Sequence, residues 1–386
     1  MSEPAAPATA AKPAAGAWAR FWAWAKVPVA IGAGTRIALF LYGIAGLMWI
    51  RPSRMTMFPT RPFLDAWFRW DAGWYMQIAS TGYSLAQPEP GQRNTFFFPL
   101  YPMAVRAVGW LFGGDLALAA VVVSNLCFVA AAVVLYRFVM ERWNEEIAAR
   151  SVALLACAPH ALFFSAAYAE SIFLLCWVSA FYAAHRRQWL WAGLLVALSG
   201  AVRGVGPIVL SGLGLMALEQ AHWRLRSLDW RVVFLGLGPL GLAGYMAFLH
   251  FEFGDMWLFT GGTVIQGWGA GHSLQKLAGD FLAWRGGVAP IADLSHLLGL
   301  TFATAVCIAA AKKLGWPLTV FTALTLLVYW SVWYSASRYL VVLFPIFIGL
   351  ALLLEKRPRL TVGLIYASAL MQGMMTWIFT HADWVS

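Results

Sequence analysis

From Arg69 to Pro102 the chain reads RWDAGWYMQIASTGYSLAQPEPGQRNTFFFPLYP, a charged and aromatic stretch between long apolar runs. Asp71 and Glu89 stand there with Arg69 and Arg93, and Arg61 and Asp65 lie just before it. Asp71 lies among Trp70, Trp74 and Tyr75. A carboxylate held among apolar rings is suited to general-base work. Arg69 and Arg93 suit a phosphate, because the planar guanidinium makes paired hydrogen bonds. Farther along, Tyr168 and Glu170 sit in FFSAAYAES, Arg203 in AVRGVG, and Arg338 and Tyr339 in YSASRY. An arginine at the edge of an apolar run needs a partner, and a lipid phosphate supplies one. The set calls for a ligand with an anionic head and a very apolar tail. A polyprenyl-phosphate sugar fits. The chemistry would be glycosyl transfer: Asp71 takes the proton of an acceptor hydroxyl, and the arginines stabilise the departing phosphate. Trp and Tyr rings would stack on sugar faces.

The elements that must position these groups are membrane helices. Of the 386 residues, 61% are hydrophobic and 11% charged, where a soluble domain carries roughly 25% charged residues. The apolar runs are long and continuous, which predicts spanning helices and excludes a closed barrel. The expected spans are 28–50, 116–139, 148–166, 169–185, 189–202, 204–220, 231–251, 295–311, 315–331, 338–354 and 359–380, nine to eleven crossings in all. The pieces 189–202 and 204–220 are short for a crossing of about 20 residues, so a tilted, broken or re-entrant path is expected. Residues 1–27 are expected to be a disordered Ala/Pro-rich cytoplasmic tail, and 28–386 a single transmembrane domain. Within it, 51–115 is a first outer loop and 252–294 a second. Phe63, Trp67, Trp70, Trp74 and Ile78 recur at helical spacing, which predicts an interfacial helix in the first loop.

The formal net charge of +10 does not point to nucleic acid, because the basic residues sit in short clusters between spans. With the N-terminus cytoplasmic, sixteen basic residues fall inside and ten outside, six of the ten in the long loop 51–115. On that topology every unusual polar motif lies on the outer face, which implies one composite site there. Cys127, Cys157, Cys176 and Cys307 all lie in apolar runs and are expected to form neither disulfide nor metal site. His160, His250 and His272 lack the spacing of metal ligands.

RWDAGWYMQIASTGY followed by FFFPLYP resembles the signature of the PIG-V-like (GPI mannosyltransferase 2) family, within the GT-C membrane glycosyltransferases. PHALFFSAAYAES, SGAVRG, HFEFGDMW with QGW, and SRYLVVLFP follow in the same order, so the resemblance runs from about residue 36 to 350. It implies a GT-C-type fold with interfacial helices in the first outer loop. It implies an inverting transferase that needs no metal or other cofactor and uses a polyprenyl-phosphate mannose donor. Asp71 matches the first-loop acid read as the base of such enzymes. Glu170, Arg203 and Arg338 match motif positions, and Trp70, Trp74, Tyr75, Tyr101, Gln266 and Tyr339 join the expected substrate contacts. The compact Ala/Trp/Arg-rich chain suggests a bacterial homologue in the plasma membrane, working on its extracytoplasmic face. The acceptor, whether lipid, glycan or protein, is then not the GPI precursor of eukaryotic members. The insert SLAQPEPGQRNT at 84–95 departs from the family pattern.

Simpler readings stand beside these. Asp71 can cap a helix, Asp65 can cap or pair with Arg61 or Arg69, and Glu170 can lock Arg203 or Ser171. Arg36 can meet a buried acid or a lipid phosphate, and Asp255 can make a turn after Gly254. Two other functional classes compete: a transporter or flippase of lipid-linked sugar, which should show internal repeats and polar motifs reaching both faces, and a non-catalytic subunit of an envelope-glycan complex.

Overall fold

A computed structural model describes residues 16–49, 56–86, 93–260, 289–331 and 335–381. Among them every regular element is a helix or a 3-10 turn. Among the described residues, five helical segments are long and apolar enough to cross a bilayer: Phe21–Met48, Leu116–Arg142, Trp230–Phe253, Leu294–Leu314 and Pro358–Thr380. Glu170–His185, Trp189–Gly200 and Trp316–Ser331 are apolar but shorter. The chain is a multi-pass membrane protein. Helices dominate because lipid offers no partner for a free backbone amide or carbonyl.

Helix α1 (Ala17–Trp49) begins inside the expected tail and carries Pro28 within it. The Ala- and Trp-rich run ahead of Pro28 extends the helix, since alanine is the best helix former. After α2 (Pro62–Asp65), α3 (Ala72–Thr81) and α4 (Leu100–Leu111) comes α5 (Leu116–Arg142). This helix packs against α1, α4, α6 (Glu145–Ala156) and α7 (Glu170–His185). Its start is capped by Asp115, whose Oδ1 accepts from the Leu118 amide at 2.9 Å. Asn144 caps α6 in the same way at 2.9 Å.

Several expected spans are interrupted. The run 148–166 holds only the end of α6 and a 3-10 turn at Ala161–Phe164, with Pro159 in the gap, where a ring lacking an amide stops a helix. The carbonyls that this break frees are capped by side chains. Arg36 donates to Ala161 at 2.5 Å and Ala156 at 2.7 Å and lies over the Phe128 ring, meeting neither an acid nor an open lipid face. Gln372 adds a bond to the Ala156 carbonyl at 3.1 Å. The run 204–220 starts with a 3-10 turn at Gly206–Val209 and is α-helical only from Leu210, as α9 (Leu210–Gln220). The run 338–354 divides at Pro345 into short helices described below.

The first loop is also not one interfacial helix. Between α2 and α3 the backbone turns through Trp70, whose φ is 52°. Trp67 and Ile78 are buried in the protein core, and Phe63 is exposed. The cause is Asp65, which bonds the amides of Met57 and Phe58 through Oδ1 at 2.6 and 2.7 Å and pairs with Arg69 through Oδ2 at 2.9 Å. That buried pair pulls the segment inward rather than leaving it on a lipid surface.

Helix α8 (Trp189–Gly200) has 12 residues, about 18 Å of rise, against a hydrocarbon thickness of roughly 30 Å. It lies against the 3-10 turn Trp230–Leu237 and α10 (Leu240–Phe253). Glycines permit that approach: a Cβ on Gly193 would stand 2.0 Å from the Phe234 carbonyl oxygen, and one on Gly241 would stand 1.7 Å from that of Ala197. Both obstacles are backbone, so neither can swing aside. Gly241→Ala is expected to destabilise the protein by about 1–3 kcal/mol, the usual cost of overpacking. Thermal unfolding in detergent, compared with Gly244→Ala, whose Cβ meets nothing within 4 Å, checks this.

Candidate active site

Helices α11 (Ala289–Leu314) and α12 (Trp316–Ser331) lead to α13 (Ala336–Leu340), α14 (Pro345–Leu353) and α15 (Pro358–Thr380). Short α13 carries Arg338 and is buried against its surroundings. His296 of α11 fixes it, its Nδ1 standing 2.8 Å from Ser337 Oγ.

Arg338 lies at the centre of a charge network. Its Nη1 donates to Asp71 Oδ2 at 2.6 Å. Its Nε faces Glu170 Oε1 at 3.4 Å. The same Glu170 oxygen accepts from Nη2 of Arg203. Four distant segments thus converge. Asp71 stands at the entry to α3, Glu170 opens α7, Arg203 follows α8, and Arg338 belongs to α13. Glu170 is fully buried, Arg338 is 6% exposed, and Asp71 and Arg203 are each 15% exposed. Two carboxylates and two guanidiniums balance, which is how charge survives burial. The start of α7 and the end of α8 adjoin, so the cluster sits at one end of this helix pair.

Aromatic rings enclose the cluster. Arg338 lies 4.9 Å from the Tyr339 ring centre, 5.4 Å from that of Tyr168 and 5.7 Å from that of Phe163. Arg203 lies over Tyr339 at 4.8 Å and Phe173 at 5.6 Å. Tyr339 also accepts from Arg338 Nη2 through its hydroxyl at 3.0 Å. Tyr168 joins the walls, its hydroxyl donating to the Arg69 carbonyl at 2.9 Å. Tyr75 lies within electrostatic reach of all four charges, and burial pushes its phenol above the usual range, so it stays a neutral donor.

Asp71 occupies the N-cap position of α3, yet its side chain makes no capping bond. Its carboxylate is turned to Arg338 instead. Glu170 locks Arg203, while Ser171 bonds the Phe164 carbonyl at 3.0 Å. Asp255 makes a turn, its Oδ1 accepting from the Trp257 amide at 2.8 Å.

Other expected contacts are placed elsewhere. Arg69 is 2% exposed, with its donors on Asp65, the Phe68 carbonyl and the Thr380 carbonyl. It ties the first loop to the end of α15, with Nε, Nη1 and Nη2 all bonded to protein acceptors. The Tyr101 hydroxyl is buried between the Ala120 carbonyl at 3.2 Å and Ser124 Oγ at 3.0 Å. Trp74 is half-buried and stacks on Phe97 at 5.9 Å. Trp70 and Arg93 are half-buried. Gln266, with 261–288, lies outside the described residues, as do Glu89 and His272.

The opposite helix ends hold a different set of charges. Arg186 reaches Glu141 at 3.4 Å, and Arg142 reaches Glu219 at 3.2 Å, at the C-terminal ends of α5, α7 and α9. These are partly exposed surface pairs.

A family model described as mannosyltransferase (PIG-V) matches residues 51–235. Over this segment the chain is similar to the PIG-V mannosyltransferase family. A GPI mannosyltransferase 2 of Drosophila pseudoobscura pseudoobscura is 33% identical over 114 residues, covering 27% of this chain. The match spans 24% of that relative's own length. Among solved structures, the apo oligosaccharyltransferase of Archaeoglobus fulgidus aligns over 91% of this chain and 55% of its own, at 15% identity and a TM-score of 0.47. The same enzyme with zinc and sulfate aligns over 90% and 52%, at 15% identity and a TM-score of 0.42. The PIG-V segment holds Asp71, Glu170 and Arg203; Arg338 comes from beyond it.

The Asp65–Arg69 pair separates framework from site. Asp65→Ala would leave a buried guanidinium without its counter-ion, at about 3–5 kcal/mol. A large loss of thermal stability is expected. An unchanged unfolding midpoint would show that the pair does not hold the loop.

Proposed function

We propose that the protein is a glycosyltransferase that moves a sugar, mannose by its family, from a polyprenyl-phosphate donor to an acceptor hydroxyl. The observation that carries this reading is the Arg338–Asp71 contact at 2.6 Å, with Arg203 held close by on Glu170. A guanidinium pair beside a carboxylate is what phosphate departure and proton removal require together.

The donor phosphate binds to Arg338 and Arg203. It is an anion, and it replaces Asp71 as the partner of Arg338 Nη1. Glu170, fully buried, stays with Arg203. The freed Asp71 carboxylate then accepts the proton of the acceptor hydroxyl. The acceptor oxygen forms a bond to the anomeric carbon on the face opposite the phosphate. The bond from that carbon to the phosphate oxygen breaks, and its electron pair leaves with the lipid phosphate. Configuration inverts. The arginines stabilise the growing charge, and no step calls for a metal. The acceptor is a hydroxyl of a lipid, glycan or protein.

The site faces the extracytoplasmic side, with the N-terminus in the cytoplasm. Support comes from the basic residues of short loops, among them Arg142, Arg186 and Arg187, which gather at the helix ends opposite Glu170. A bacterial plasma membrane suits the compact sequence.

Asp71→Asn is expected to lower transfer by about 10²–10⁴-fold, the contribution of a general base. Folding and membrane insertion should be unchanged, and the variant should bind polyprenyl phosphate at least as tightly as wild type. Turnover from polyprenyl-phosphate mannose to an envelope-lipid extract, read by mass spectrometry, is the measurement. Wild-type turnover in the variant would remove Asp71 from the mechanism. Movement of lipid-linked sugar across liposomes with no new glycosidic bond would favour a flippase.

A further inference from the structure

Beside the charge network, three buried side-chain polar atoms make no hydrogen bond: Glu170 Oε2, the Tyr329 hydroxyl and Arg338 Nε. Folded proteins satisfy nearly all such groups, so an orphan calls for a reason. Here the orphans are linked to one charge network through Tyr339. Tyr329, on α12, packs its ring 5.7 Å from that of Tyr339. Tyr339 accepts from Arg338, and Arg338 Nε faces Glu170 without hydrogen-bonding geometry. Tyr329 is within electrostatic reach of Glu170, Arg203 and Tyr339.

The chemistry of the orphans narrows the ligand. A carboxylate oxygen accepts only, a guanidinium nitrogen donates only, and a phenol does both. Sugar hydroxyls both donate and accept, and each must be paired when it leaves water. A phosphate would satisfy the donors and be repelled by Glu170. An apolar tail would satisfy none of them. The remaining match is a polyhydroxylated ring held next to the guanidinium pair.

We propose that Glu170 Oε2 and the Tyr329 hydroxyl form a subsite for the hydroxyls of the sugar ring that the donor phosphate carries. This rests on the reading of Arg203 and Arg338 as the phosphate site. Glu170 then has two roles on two oxygens: Oε1 holds Arg203, and Oε2 receives a sugar hydroxyl. Tyr329 is a donor-recognition residue whose hydroxyl does nothing for the fold.

Tyr329→Phe tests this cleanly, because the lost hydroxyl has no hydrogen-bond partner among the described residues. The full-length protein in detergent is titrated with farnesyl phosphate and with farnesyl-phosphate mannose, without acceptor. The expected result is unchanged affinity for farnesyl phosphate and affinity about tenfold weaker for the mannosylated lipid, one lost hydrogen bond's worth. The unfolding temperature should be equal or higher. Equal binding of the mannosylated lipid by variant and wild type would overturn the subsite. So would an equal loss for both lipids, which would place Tyr329 on the phosphate or in the fold. A rise in KM for the acceptor alone would put the hydroxyl-binding groups on the acceptor side and reject the donor assignment. Failure of wild type to bind either lipid would overturn the phosphate site and the subsite together. Loss of transfer in Asp71→Asn with no lipid selectivity in Tyr329→Phe would leave the enzyme reading standing and the subsite refuted.

Discussion

One guanidinium between two carboxylates organises this protein. Arg338 holds Asp71 on one side and faces Glu170 on the other, and Glu170 holds Arg203. Removed from water, none of the four charges is tolerable alone. They must therefore meet, and the segments that carry them must meet as well. Strands of a sheet could not supply this convergence inside lipid, but broken helices can, provided the non-helical backbone is buried in protein.

The breaks in the helices follow from that demand. Helix α6 stops before Pro159, and α7 restarts at Glu170 with the acid at its positive end. Helix α8 stops short, so that 201–205 can present Arg203. Helix α13 lasts five residues and is steadied by His296 on Ser337. The freed carbonyls are capped by Arg36 and Gln372 rather than left bare. A second buried pair, Asp65–Arg69, fastens the first loop to α15 and lets the turn at Trp70 deliver Asp71.

Balanced charge is consistent with the proposed exchange of partners at this site. Asp71 and Arg203 retain some exposure, while Glu170 has none. In the proposed mechanism the accessible carboxylate is the one that the incoming anion displaces. The buried one keeps the geometry of the guanidiniums while partners change. Surrounding Tyr168, Phe163, Phe173 and Tyr339 rings support the guanidinium faces, and the Tyr339 hydroxyl also accepts from Arg338 Nη2.

Composition and apolar run length alone determined a helical membrane protein, because lipid permits few other structures. Residue type and order also marked Asp71, Glu170, Arg203 and Arg338 as unusual, since a charge in an apolar run needs a partner. They could not say which partner. Arg69 next to Asp71 looked as suited to a phosphate as Arg338, and only packing showed that Asp65 and Thr380 occupy it. The interfacial helix read from Phe63 to Ile78 had the right period, but periodicity reports which side chains share a face, not whether that face meets lipid or protein. Tyr329 was invisible, because in a run of leucines and valines a tyrosine reads as one more packing residue. Its significance depends on a hydroxyl without a partner among the described residues, on a ring packed against Tyr339, and that is a property of distances between helices far apart in the chain, which tertiary structure alone decided.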